Sequence, residues 1–149
     1  MNLADHIKAE HDEFRAMLER LVVTHGNEVD IRKDTSHTLI RRSIAHRKAE
    51  EATVFGSLVS RNDTRGLALQ MLEQHKAVAA VITDLRTIPF DDEVWLPKLI
   101  VLKFIFEAHL TEEEIKVLAH VEDFFGGAEV NRMFEEFQTI EKGELEKRK

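Results

Sequence analysis

The 149-residue sequence predicts an all-α fold, an up-down-up-down four-helix bundle with an additional short C-terminal helix. Apolar residues recur at three- and four-residue spacing through most of the chain. Turn formers are scarce, with six Gly and two Pro. The periodic segments are long and their connections short, which makes sequential helices antiparallel neighbours. A hydrophobic content of 43% is enough for one closed core, so a single domain over residues 1–149 is expected.

The first helix is expected from about Leu3 to Val23, with Leu3, Ile7, Phe14, Met17, Leu18 and Leu21 on its inner stripe and Thr24-His25-Gly26-Asn27 ending it. A second begins near Thr35 and carries Leu39, Ile40, Ile44, Val54 and Leu58 toward Val59, before Arg61-Asn62-Asp63 breaks the pattern. The third contains Leu67, Leu69, Met71, Leu72, Val78, Val81, Ile82 and Leu85. It stops at Ile88-Pro89, because the residue before a proline disfavours helix. A fourth runs from about Leu96 to Phe125, with Pro97 tolerated in its first turn and Gly126-Gly127 as its terminator. The bundle thus spans about 3–125. A fifth helix at about 128–140 places Val130, Met133, Phe134 and Phe137 on one side, and residues 142–149 read as a solvated tail.

Composition narrows the chemistry. With no cysteine, disulfides, thiolate metal sites and a Cys nucleophile are excluded, so any metal must be held by His and carboxylate. A formal charge of −7 argues against nucleic acid or an anionic membrane as partner. The start Met1-Asn-Leu-Ala-Asp-His lacks a basic, apolar leader, and a cytoplasmic location is expected.

Eight histidines are unusual in a chain this short, and their placement is duplicated. His11, Phe14, Met17, Leu18 and Leu21 match His75, Val78, Val81, Ile82 and Leu85 at an offset of 64 residues. At an offset of 63, His46, Glu50, Glu51 and Val54 match His109, Glu113, Glu114 and Val117. Each half therefore has a lone His on one helix and His-x-x-x-Glu on the next. Residues four apart share a helix face, about 6 Å apart along the axis, so His46 with Glu50, and His109 with Glu113, can point at one site. Apolar neighbours surround His11, His75 and His109; Arg42 and Ser43 precede His46, although Leu39, Ala49 and Val54 share its side.

Burying four imidazoles and two carboxylates is costly unless they neutralise one another or coordinate a cation. Two divalent ions answer that cost, with two imidazoles each and both carboxylates bridging, roughly 3.5–4 Å apart as in other two-metal sites. Ligands without sulfur suit iron, with manganese or zinc compatible. The lone residues here are His and the pairs read His first at four. Ferritin-like bundles instead combine lone Glu with Glu-x-x-His.

The ordered set His11, His46-x-x-x-Glu50, His75, His109-x-x-x-Glu113, spread over about Leu3 to Phe125, resembles the hemerythrin-like HHE cation-binding domain family. The resemblance implies a four-helix bundle with a non-haem di-iron centre that binds dioxygen or nitric oxide, or handles or senses iron. Oxygen-carrying members add a fifth histidine four residues after the third-helix ligand. Here that position is Ala79, leaving the four-histidine, two-glutamate set of many bacterial members. Two alternatives remain open: a di-iron enzyme acting on peroxide or dioxygen, and a metal-free helical interaction module. No tyrosine is present to carry a radical, and no general base stands out beyond the metal set.

The remaining polar candidates read as structural. His6, flanked by Glu10 and Glu13, is expected on the surface, as an alternative first-helix ligand only if the register of His11 is wrong. His25 and His37 fall near helix ends and should be solvated. His120 is expected in the core at the bundle end or as a partner of a ligand. Glu51 and Glu114, turned about 100° from the ligand glutamates, are expected to be exposed, with hydrogen bonding to a ligand imidazole as the alternative. Phe104, Phe106, Phe124 and Trp95 are expected in the core.

Overall fold

The computed structural model describes residues 1–149 and is all-helical. Helix α1 (Leu3–Val22) is capped by Asn2, whose side chain accepts the Asp5 backbone N–H at 2.8 Å. Its buried residues Leu3, Ile7, His11, Phe14, Leu18 and Leu21 step by three or four, so one polar ligand-type residue sits within an otherwise apolar stripe.

Helix α2 (Val29–Glu50) begins six residues before the expected Thr35. The sequence there is polar, and the helix is anchored by a buried arginine rather than an apolar stripe. Arg32 donates from Nε to Thr24 Oγ1 at 2.9 Å and from its terminal nitrogens to the backbone carbonyls of Thr24 and Phe90, and its guanidinium lies 4.5 Å from the Trp95 ring centre. The helix then widens into a π-helical stretch, Glu51–Phe55, before α3 (Gly56–Val59). Gly56 permits the widened turn, because a Cβ there would meet the Glu51 carbonyl at 3.1 Å.

Helix α4 (Arg65–Leu85) and helix α5 (Trp95–Lys116) are joined by the loop containing Pro89, and Pro97 falls in the first turn of α5 as expected. The fourth helix does not run unbroken to Phe125. After α5 come a 3₁₀ turn, Leu118–His120, and a short α6 (Val121–Phe125). Gly126, at φ 80°, turns the chain into α7. Helix α7 spans Gly127–Lys147, so most of the expected 142–149 tail is helical.

Helix α1 packs on α2 and α5, α4 on α5 and α3, and α7 along α2 with a further contact to α1. No helix is long and apolar enough to cross a membrane. The apolar core falls into two clusters. One gathers Leu3, Ile7, Phe55, Leu58, Met71, Val121 and Phe137 at one end. The other gathers Phe14, Leu18, Leu39, Val78, Trp95, Leu99 and Phe106 at the other. In sequence His11 lies between Ile7 and Phe14, and His75 between Met71 and Val78, so the histidines fall where one cluster gives way to the next.

Several expected core residues lie outside it. Phe104 is 75% exposed and Leu69 43%, because they occupy the outer faces of α5 and α4. Phe106 and Trp95 are buried, and Phe124 is half-buried.

Candidate metal centre

Four helices each place one histidine in the interior, at relative exposures of 0% for His11, 4% for His46, 5% for His75 and 4% for His109. His46, which has a polar approach in sequence, is buried like the others. Glu50 and Glu113 are both at 0%. All six candidate residues come together. His75 Nε2 is 3.1 Å and His46 Nε2 3.5 Å from oxygens of Glu50, while His109 Nε2 is 3.3 Å and His11 Nε2 3.6 Å from Glu113 Oε1. The rings pair as His11 with His46, centres 5.2 Å apart, and His75 with His109, centres 4.7 Å apart.

These approaches do not satisfy the groups as hydrogen bonds. Both oxygens of Glu50, both of Glu113, and Nε2 of His11 and His46 are buried without a hydrogen-bond partner. Buried polar atoms left in this way are costly, and here they all converge on one volume. Two groups of possible ligand atoms can be drawn, His11, His46 and Glu50 on one side and Glu50, His75, His109 and Glu113 on the other. Glu50 belongs to both groups, so the donor set fits a cation-binding interior.

The outer edge of each ring is occupied. His11 Nδ1 donates to Glu114 at 2.8 Å, His46 Nδ1 to Glu10 at 2.8 Å, His75 Nδ1 to Glu51 at 2.8 Å and His109 Nδ1 to Gln74 at 2.6 Å. An acceptor on Nδ1 fixes the tautomer and leaves the Nε2 lone pair for the interior. Glu51 and Glu114 are thus not free surface groups. A turn of about 100° from the inward glutamate aims the next side chain at a neighbouring helix, where the back of its histidine lies. Their duplication alongside the ligands was the signal for this. Glu10 and Gln74, each immediately before a lone histidine, went unrecognised because they differ in type between the halves.

The charges follow the geometry. Burial would lower His46, but Glu50 and Glu10 outweigh it and push its pKa up to about 10. His109 has a neutral amide behind it; burial and the neighbouring His75 bring it down to about 3. Burial and the charge of Glu50 raise Glu113 well above the carboxylate range, while Glu50, despite burial, is held low by His46. Glu114 is held at about 2: its partial burial is outweighed by His11 and Arg15.

A family model, the hemerythrin HHE cation binding domain, matches residues 2–121. The chain belongs to this family. No curated protein and no solved structure gave a match. The hemerythrin HHE match accounts for the bundle and for a cation-binding interior, and it ends before α7 (Gly127–Lys147). In this hemerythrin HHE chain α7 nevertheless reaches the centre, since the Phe137 ring stands edge-on to His46 with centres 5.7 Å apart.

The other histidines divide. His25 and His37 are exposed, as expected. His120 is also exposed and lies 3.7 Å from Asp123, so it is neither core nor partner to a ligand. His6 is half-buried against Phe134 and Phe137 and 3.2 Å from Glu141, a position that the flanking glutamates concealed.

Proposed function

We propose that this hemerythrin HHE protein holds two iron ions, with His11 and His46 serving one, His75 and His109 the other, and Glu50 and Glu113 shared between them. The convergence of unpartnered Glu50 and Glu113 oxygens on four imidazoles carries this reading, because bound cations would compensate all of these buried ligand atoms at once. Imidazole and carboxylate without sulfur favour iron, with manganese or zinc compatible.

The centre is read as a binding site for dioxygen or nitric oxide. A cavity of about 20 Å³ touches His46, His75 and His109 and is walled by Val78, Phe106 and Leu110, with Ser43 and Arg47 at its polar side. That volume is on the scale of one very small molecule. Iron with an open position supplies the affinity for such a molecule, while the protein fixes the imidazoles, excludes bulk water and limits the size of the guest.

Anaerobic loading with ferrous iron followed by exposure to nitric oxide or dioxygen tests this. Two irons per chain and a reversible optical change on gas exchange are expected. Peroxide would also fit the cavity, and its turnover beyond one equivalent would place the centre among enzymes instead. Failure to retain iron at all would overturn the reading.

A further inference from the structure

Outside the inner six residues, α1 and α7 bring together a second imidazole and carboxylate cluster. His6 Nε2 lies 3.2 Å from Glu141 Oε1 and 3.6 Å from Glu10 Oε1. One ligand atom from each of His6, Glu10 and Glu141 can be chosen so that all lie within 4.8 Å of one another. Phe134 and Phe137 pack on the His6 ring, with centres 5.4 and 5.5 Å away, and hold it facing the two acids.

The two acids are withdrawn from water, with side-chain exposures of 13% for Glu10 and 10% for Glu141, and neither forms an ion pair with a lysine or arginine. The nearby Arg42 is paired to Glu13. Facing carboxylates in such a place need a positive charge between them or a shared proton. A divalent cation solves this problem with three donors already in place, and an imidazole with two carboxylates suits a first-row transition ion. The 22% exposure of the His6 side chain leaves the cluster open to solvent.

We propose that His6, Glu10 and Glu141 form a third cation site, distinct from the inner pair. Its ligands do not overlap with the inner six, and it is linked to them through the hydrogen bond from His46 Nδ1 to Glu10 and through the Phe137 ring, which packs on both His6 and His46. With three protein donors and partial exposure, it binds more weakly than the inner centre. His6 and Glu10 lie within the matched residues 2–121 and Glu141 beyond them, so the site is completed only by the C-terminal helix.

Calorimetric titration of the chelator-treated full chain with zinc ions tests the site. Wild type should take two ions tightly and a third at least tenfold more weakly. Glu141→Gln and His6→Gln should each abolish the third and leave the first two. The half-exposed His6 allows the second variant to keep the fold, which circular dichroism would verify. A wild type that stops at two ions, or variants that retain the third, overturn this proposal and leave the inner centre standing. A wild type that binds no tight pair overturns the inner centre.

Discussion

Glu10 and Gln74 occupy equivalent places in the two halves of the bundle, yet Glu10 presents a charged oxygen to His46 and Gln74 a neutral one to His109. A carboxylate behind an imidazole makes it a stronger electron donor to a cation than an amide does. The two halves of the centre are therefore chemically unequal although their ligands match. Glu10→Gln should weaken retention of the His11 and His46 ion by about 10- to 100-fold, the usual effect of losing such a partner. Gln74→Glu should strengthen the opposite side. Metal competition with a graded chelator series measures both, and equal affinities across all three proteins would show that the outer acceptors do not tune the site.

Single histidine replacements separate ligands from bystanders. His46→Ala and His109→Ala should each lose bound metal and its absorption, since each removes a buried imidazole beside a shared glutamate. His25→Ala and His37→Ala should leave both unchanged, as these side chains face solvent. His11→Ala should empty its half of the inner pair and His6→Ala should not. Elemental analysis with an optical spectrum checks all six variants.

Loading should raise thermal stability. An ion bound by the folded chain alone shifts unfolding by about 2.7 kcal/mol at a free concentration 100 times its Kd. Equal melting temperatures with iron and with excess chelator would contradict an interior site.

Acid–base linkage gives a prediction for the chelator-treated protein. Folding raises Glu113 above its ordinary carboxylate value and raises His46 to about 10. A group with a raised folded pKa contributes stability that is fully present below its unfolded pKa and is lost as pH rises through the folded one. Burial lowers His109 to about 3 and lowers His11, which opposes this trend below their ordinary value of 6.5, so the metal-free protein should lose stability as pH rises from about 7 toward pH 9. Glu113→Gln removes one of these groups, so denaturant melts across that range should show a shallower decline. An unchanged slope would mean that Glu113 ionises in the folded chain as freely as in the unfolded one.

Phe137 is fully buried between the last helix and His46. Phe137→Ala should cost about 3 to 5 kcal/mol, as for other large aromatic deletions in cores. Chemical denaturation measures it, and a loss below about 1 kcal/mol would mean that α7 is only loosely docked.

The helices and the six inward residues were legible in sequence because the duplicated pattern and the apolar spacing agree. Periodicity reports which face is buried, so His11 could be placed by its neighbours Ile7, Phe14 and Leu18. It is silent on what a residue meets across a helix interface, and Glu51 and Glu114 were therefore expected in solvent. The start of α2 was missed for a related reason: Arg32 anchors it through partners at residues 24 and 90, far along the chain. Phe104 shows the reverse error, a large aromatic whose position on α5 faces outward.

The division of the apolar core into two clusters has a consequence for folding cooperativity. Each cluster is a hydrophobic column of modest length, and the layer joining them is polar, ionisable and poorly satisfied by protein groups alone. Cations held there as proposed would strengthen that joint, so metal should couple the two ends of the bundle into one unfolding unit. Without metal the ends should open separately, with amide hydrogen exchange near Trp95 and near Phe55 proceeding with different opening energies that converge once ions are added.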